Sequence, residues 1–196
     1  MDPLLVGPRI EYVDQVLPEI YPAYAATFEA SLPEGGAELL QLFSKSYLKL
    51  NTALAERAPW TLAHQDYRVE NMLFGNPEND EVTVIDWQGI GRGPGVYDLA
   101  YLLGGSMETE LRRENERDLV VAYHTELCSN GVEGYSLDSL WADYGFAHLI
   151  GGLATSVFAG GTLDLNNERG KELITMMSER HVTAALDHGG TGQIPN

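Results

Sequence analysis

One stretch decides what this chain can fold into. From Trp60 to Val96 a sequence that is otherwise helical in pattern breaks into short extended pieces and polar or glycine-rich turns. Val82 to Trp87 alternates and is rich in β-branched residues, which marks a strand. Asn71 to Phe74 reads as its partner across the polar turn Gly75–Asp80, and Trp60 to Ala63 is short and extended. The unit is a small hairpin, and helices must supply the rest of the core. The expectation is a predominantly helical α+β lobe carrying one β-hairpin.

The flanking helices follow from apolar spacing. Tyr12 to Ser31 has helical periodicity but contains Pro18 and Pro22, so one broken helix or two short ones are expected. Ala37 to Arg57 reads as a single helix with a stripe of Leu39, Leu40, Phe43, Tyr47, Leu50 and Leu54, closed by Ala58-Pro59. Tyr97 to Gly104, Glu108 to Ser129, Ser136 to Ala159 and Asn166 to Asp187 are the remaining helices, with Ser136 a natural N-cap. Residues 1–187 read as one domain without repeat or linker, and 188–196 as a polar, flexible, glycine-rich tail.

The chemistry-bearing residues cluster on the loop before the hairpin and at the end of its second strand. Asp66 and Asn71 are separated by four residues, and Asp86 closes the returning strand. Phosphoryl transfer from a nucleoside triphosphate needs such a set: a carboxylate to orient the attacking hydroxyl, and an amide and a second carboxylate to hold Mg²⁺ on the phosphates. Asp66 is the candidate base, and Asn71 and Asp86 offer the hard oxygens that Mg²⁺ prefers. His64 reads as support for the loop backbone. Asp98 reads as a first-turn helix acid with a brace to the His64 loop. Arg68 has two readings, phosphate contact or solvent. Gly89, Gly91, Gly93 and Gly95 do not match a phosphate-loop spacing and read as a tightly turned connection.

Composition narrows the partners. The formal charge of −17 opposes the basic footprint of nucleic-acid binding and docking on anionic membrane. No stretch of 18 apolar residues predicts a membrane span. Cys128 is the only cysteine, so neither an internal disulfide nor a cysteine zinc site is expected; it reads as a packing residue, and a cytoplasmic setting is the default. The acids Glu133, Asp138, Asp143, Asp164 and Glu168 read mostly as solvated helix faces.

Taken in order, His64-Gln65-Asp66 with Asn71, Ile85-Asp86-Trp87-Gln88 and Asp98-Leu99-Ala100 resemble the aminoglycoside phosphotransferase and choline kinase-like family, which shares the protein-kinase fold. The pattern is nearest the broad bacterial branch of small-molecule phosphotransferases and is also similar to ecdysteroid kinase-like proteins. The resemblance implies the C-terminal lobe of that fold, with Asp66 as catalytic aspartate, Asn71 and Asp86 as Mg²⁺ ligands, His64 and Asp98 as structural members, ATP as donor and a small-molecule hydroxyl as acceptor. Gln65 departs from the family's usual glycine. The family's N-terminal lobe, with its glycine-rich loop and strand lysine, has no counterpart before residue 60: Lys45 and Lys49 both fall in a helix, so no nucleotide lysine is assigned. The expectation is an isolated C-terminal lobe, weak or inactive alone, and a homodimer or partner lobe on the face left uncovered.

Overall fold

A computed structural model describes residues 3–76 and 78–195. Eight α-helices and two two-stranded antiparallel sheets make up the fold among the described residues. In chain order these are α1 (Pro8–Phe28), α2 (Gly36–Phe43), α3 (Tyr47–Arg57), β1 (Trp60–Ala63), β2 (Met72–Asn76), β3 (Asn79–Val84), β4 (Gly91–Pro94), α4 (Val96–Ser106), α5 (Thr109–Ser129), α6 (Leu137–Ala147), α7 (Gly151–Gly161) and α8 (Glu168–Asp187). The predominantly helical α+β reading holds. Among the described residues no helix is long and apolar enough to cross a membrane.

α1 is one unbroken helix, contrary to the expectation from its prolines. Pro18 and Pro22 are both exposed and four residues apart, so they share the solvent face. The carbonyls they leave unbonded can bond water there. The opposite face buries Ile10, Leu17, Tyr24 and Phe28. That face lies on α7, where Gly160 and Gly161 admit it. A Cβ on Gly160 would stand 2.6 Å from Tyr24, and one on Gly161 2.3 Å from Ile20.

The continuous helix expected over 37–57 is two helices. Their apolar stripe is real, with Leu39, Leu40, Phe43, Leu50 and Leu54 all buried. The break at Ser44–Ser46 lies within it. Lys45 and Ser46 make bonds to Leu42 and Phe43, three residues back, and the Ser44 hydroxyl donates to the Gln41 carbonyl at 2.9 Å. The second helix is started from outside: Asp14 of α1 accepts the Leu48 amide at 2.8 Å, an orphan donor of the first turn. The helix expected over 136–159 also divides, into α6 and α7, at His148–Ile150. Ser136 caps α6 as expected, accepting the Ser139 amide at 3.1 Å.

Two sheets replace the single hairpin. β2 and β3 form the expected hairpin, with Met72 opposite Val84 and Phe74 opposite Val82. The glycine-rich connection is not a simple turn: Gly91–Pro94 is the strand β4, and it pairs with β1 from Trp60–Pro94 to Ala63–Gly91. The Leu4 amide donates to Arg92 at 2.7 Å on its other edge. At the C-terminus, Gly190–Gln193 forms a 3-10 turn with Gly190 buried, and Ile194 packs against the core. That part of the expected tail is therefore structured, and Asn196 lies outside the described residues. Cys128 is exposed, not packed, and Asp143 is buried, not solvated. The Asp143 carboxylate pairs with Arg57 at 3.0 Å and accepts the Tyr135 hydroxyl at 2.9 Å.

Candidate active site

The site is built on one loop and one peptide, each held by hydrogen bonds. The loop leaves β1 at Ala63 and enters the hairpin at Met72. Its first two amides point at a single side chain from α4. Asp98 Oδ2 accepts the His64 amide at 2.6 Å, and Oδ1 accepts the Gln65 amide at 3.0 Å. Burial holds the Asp98 carboxyl above its ordinary range, opposed by these two amides. The first-turn acid read from sequence is thus also the loop brace.

Gln65 explains why a glycine is usual at its position. Its φ is +74°, the left-handed region that disfavours a Cβ. The side chain is turned outward to accept Arg9 Nη1 of α1 at 2.8 Å.

The loop then folds on itself around Asp66. Asn71 Nδ2 donates to the Asp66 carbonyl at 2.8 Å and to its Oδ2 at 2.9 Å. Both amide protons of Asn71 are so engaged, which leaves its Oδ1 as the atom for a cation. Tyr101 donates its hydroxyl to Asp66 Oδ1 at 3.4 Å and reaches Thr155 Oγ1 at 3.3 Å. Its phenol is pushed up to about 12 by burial, so it stays a donor. Arg68 Nε lies 3.2 Å from the same Oδ1.

Asp86 follows a peptide fixed from both sides. The Ile85 amide donates to the Asn71 carbonyl at 2.9 Å, and the Ile85 carbonyl is met by His64 Nε2 at 2.8 Å. His64 is buried, its ring packed edge-on to Trp87 at 4.7 Å. Asp86 itself has φ +63°, the only other non-glycine in the left-handed region among the described residues. Backbone held in that region costs stability of order 1–3 kcal/mol and collects at functional sites.

Asp66, Arg68 and Asp86 line one cavity of about 660 Å³. The loop and the Asp86 turn form one side; α1, α4 and α7 form the other through Arg9, Val13, Tyr97, Tyr101, Ala154 and Phe158. Four charged groups line it, Arg9, Arg68, Asp66 and Asp86, so the cavity does not share the chain's large negative charge. The donor set fits a magnesium ion: one neutral amide oxygen and one exposed carboxylate, both hard oxygens on a braced backbone.

All six residues singled out from sequence therefore belong to one constellation. Asp66, Asn71 and Arg68 touch, Asp86 shares the cavity of Asp66 and Arg68, Asn71 is buried beside Asp66 without lining that cavity, and His64 and Asp98 lie behind as braces. Sequence reasoning missed Tyr101, although it lies one helical turn after Asp98 on the same face. It also missed Arg9 and Thr155, which carry no local signal.

The family model of the ecdysteroid kinase-like family matches residues 9–131, well over half of the chain. The chain belongs to the ecdysteroid kinase-like family. The matched span runs from α1 through the end of α5 and contains every one of the six site residues. For an ecdysteroid kinase-like chain, phosphotransferase chemistry of the kinase type is the general implication. No curated protein matches the sequence. α6, α7 and α8, and with them the cavity wall at Ala154, Thr155 and Phe158, lie beyond the matched residues.

Proposed function

We propose that this chain is a small-molecule phosphotransferase, related more widely to aminoglycoside phosphotransferases and choline kinases, that transfers the γ-phosphoryl group of ATP to an acceptor hydroxyl. The observation that carries the reading is the Asp66–Asn71 pair: the amide that fixes the Asp66 carboxylate turns its own oxygen free for a cation. Asp66 orients the hydroxyl and takes its proton. Asn71 Oδ1 and Asp86 would hold Mg²⁺, which neutralises phosphate charge when bound. Arg68 is the residue placed to contact the transferring phosphate, and while none is bound it pairs with Asp66. The acceptor enters the cavity from the α1 and α7 side. Its Tyr47, Tyr97, Tyr101 and Phe158 lining favours an acceptor with an apolar body beside the reacting hydroxyl.

A second reading has its own observation. Leu62, Leu73, Phe74 and Val82 are 50–62% exposed on the two sheets, and Trp87 is 45% exposed in the turn that follows β3. Such surface suits a non-catalytic kinase-like module that binds a second copy or a partner lobe there. The described residues before Trp60 are mainly helical, and none of the lysines among them lies on a strand.

The test is phosphoryl transfer from labelled ATP with Mg²⁺ to a panel of small alcohols, on the protein and on Asp66→Ala, beside its mass in solution. Transfer that falls by about 10²–10⁴-fold in Asp66→Ala supports the enzyme. No transfer, with a dimer that Phe74→Asp dissociates, supports the binding module instead.

A further inference from the structure

A second constellation lies outside the Asp66 cavity, where α5, α6 and α8 meet. Glu116 projects from α5, His148 follows the last residue of α6, and His188 follows the last residue of α8. One ligand atom from each lies within 4.8 Å of the other two. None of the three lines the Asp66 cavity, and His148 and His188 fall beyond the residues the family model matches.

His148 is 2% exposed, and neither of its ring nitrogens has a hydrogen-bond partner. A buried imidazole normally satisfies at least one of them, so this group is the anomaly to explain. Its ring stacks on that of His188 at 5.2 Å. Glu116 presents its two oxygens unequally. Oε2 accepts Arg112 Nη1 at 2.6 Å and the Tyr144 hydroxyl at 3.0 Å. His188 Nε2 lies 3.2 Å from both oxygens, and among the described residues it is the one partner of Oε1.

We propose that Glu116, His148 and His188 form a binding site for one divalent transition-metal ion of the zinc type, tying the ends of α6 and α8 to α5. Two imidazoles and one carboxylate suit zinc and its neighbours; magnesium and calcium want oxygen alone. The ion takes Glu116 from the Oε1 side and replaces the contact with His188 Nε2. Ligand atoms on a tetrahedral zinc lie about 3.4 Å apart, given bonds of about 2.0–2.1 Å. The present spread, within 4.8 Å, therefore has to close by up to about 1.4 Å. His188 is the side chain to move, since it caps the C-terminal end of α8 and is followed by Gly189 and Gly190. Arg112 is the opposing charge, and it is already balanced: its guanidinium is shared between Glu116 Oε2 and Asp187. The site is separate from the proposed magnesium ligands and stands whether or not the chain transfers phosphate.

Cobalt(II) is the probe, because its visible bands report coordination, followed by displacement with zinc. The experiment uses the full chain carrying Cys128→Ser, since exposed Cys128 lies 3.9 Å from His124 and offers a competing pair. The expected result is a cobalt spectrum at one ion per chain, bleached by zinc. The melting temperature rises with zinc and not with equal magnesium. His188→Gln and His148→Gln each weaken zinc binding by about tenfold or more. His188→Gln is the deciding variant, and its circular dichroism is checked against the parent. No cobalt spectrum and no zinc-dependent shift, or zinc affinity unchanged in His188→Gln, overturns the proposal.

Discussion

Asp98 holds His64 by its backbone: one carboxylate oxygen accepts the His64 amide at 2.6 Å and the other accepts the next amide, that of Gln65, at 3.0 Å. The first-turn acid of α4 thereby fixes the loop that carries Asp66. Asp98→Asn keeps the shape but presents an NH₂ to one of the two amide donors. Loss of one charge-assisted bond and a clash of donors costs about 2–3 kcal/mol of stability. Urea unfolding of the two proteins measures it, and a midpoint unchanged in Asp98→Asn means that the brace carries no strength.

The Gln65 backbone gives a prediction with an internal control. At φ +74° a β-branched side chain is badly placed and glycine is at ease. Gln65→Val is expected to lie about 2 kcal/mol below Gln65→Gly in unfolding free energy. Both variants lose the Arg9 contact, so their difference isolates the backbone. Equal stabilities mean that the loop does not hold this conformation in solution.

How much of this was legible beforehand depends on where the signal lies. The Asp66, Asn71 and Asp86 set, α4, α5, α8 and the β2–β3 hairpin carry local patterns, and each formed within a few residues of its expected span. The break between α2 and α3 left no such mark. Leu39 through Leu54 keep one apolar stripe across it, and the group that starts α3 is Asp14, 34 residues earlier. β4 is Gly-Arg-Gly-Pro, with no alternation to read, and becomes a strand only because β1 and Leu4 bond its two edges. Arg112 and Glu116 look like the outward face of an amphipathic helix. They are buried because Asp187, Tyr144 and His188 arrive from elements 28 to 75 residues away.

Gly152 tests the packing of α7 on α8. A Cβ there would stand 2.1 Å from His181 Nδ1, and His181 is buried against Tyr101. Gly152→Ala must displace that imidazole and, through Tyr101, the wall of the Asp66 cavity. A loss of about 3 kcal/mol is expected, at the upper end of overpacking effects. Thermal unfolding with the wild type alongside measures it.

His181 also sets a pH dependence. Burial, helped by Arg180, lowers its pKa to about 4, against about 6.5 when unfolded. The folded chain keeps the ring neutral while the unfolded chain takes up a proton. Its contribution is therefore complete above about pH 6.5 and is lost progressively as pH falls toward about 4. The full difference is on the order of 3 kcal/mol. Unfolding free energies from pH 7.5 to 4.5 should decline more steeply in the wild type than in His181→Phe. Parallel curves would remove His181 from the account.

The central claim is that Asp66, Asn71 and Asp86 make one cation and phosphate site in which the three residues do different work. Manganese(II) bound with ATP reports on it directly by electron paramagnetic resonance, with manganese standing in for magnesium. Wild type should bind the manganese–ATP complex. Asp86→Asn, which removes a charged oxygen ligand, should weaken binding by about tenfold or more. Asp66→Asn should stay within about threefold of wild type, since its carboxylate serves the acceptor. Equal binding in wild type and Asp86→Asn would contradict the account.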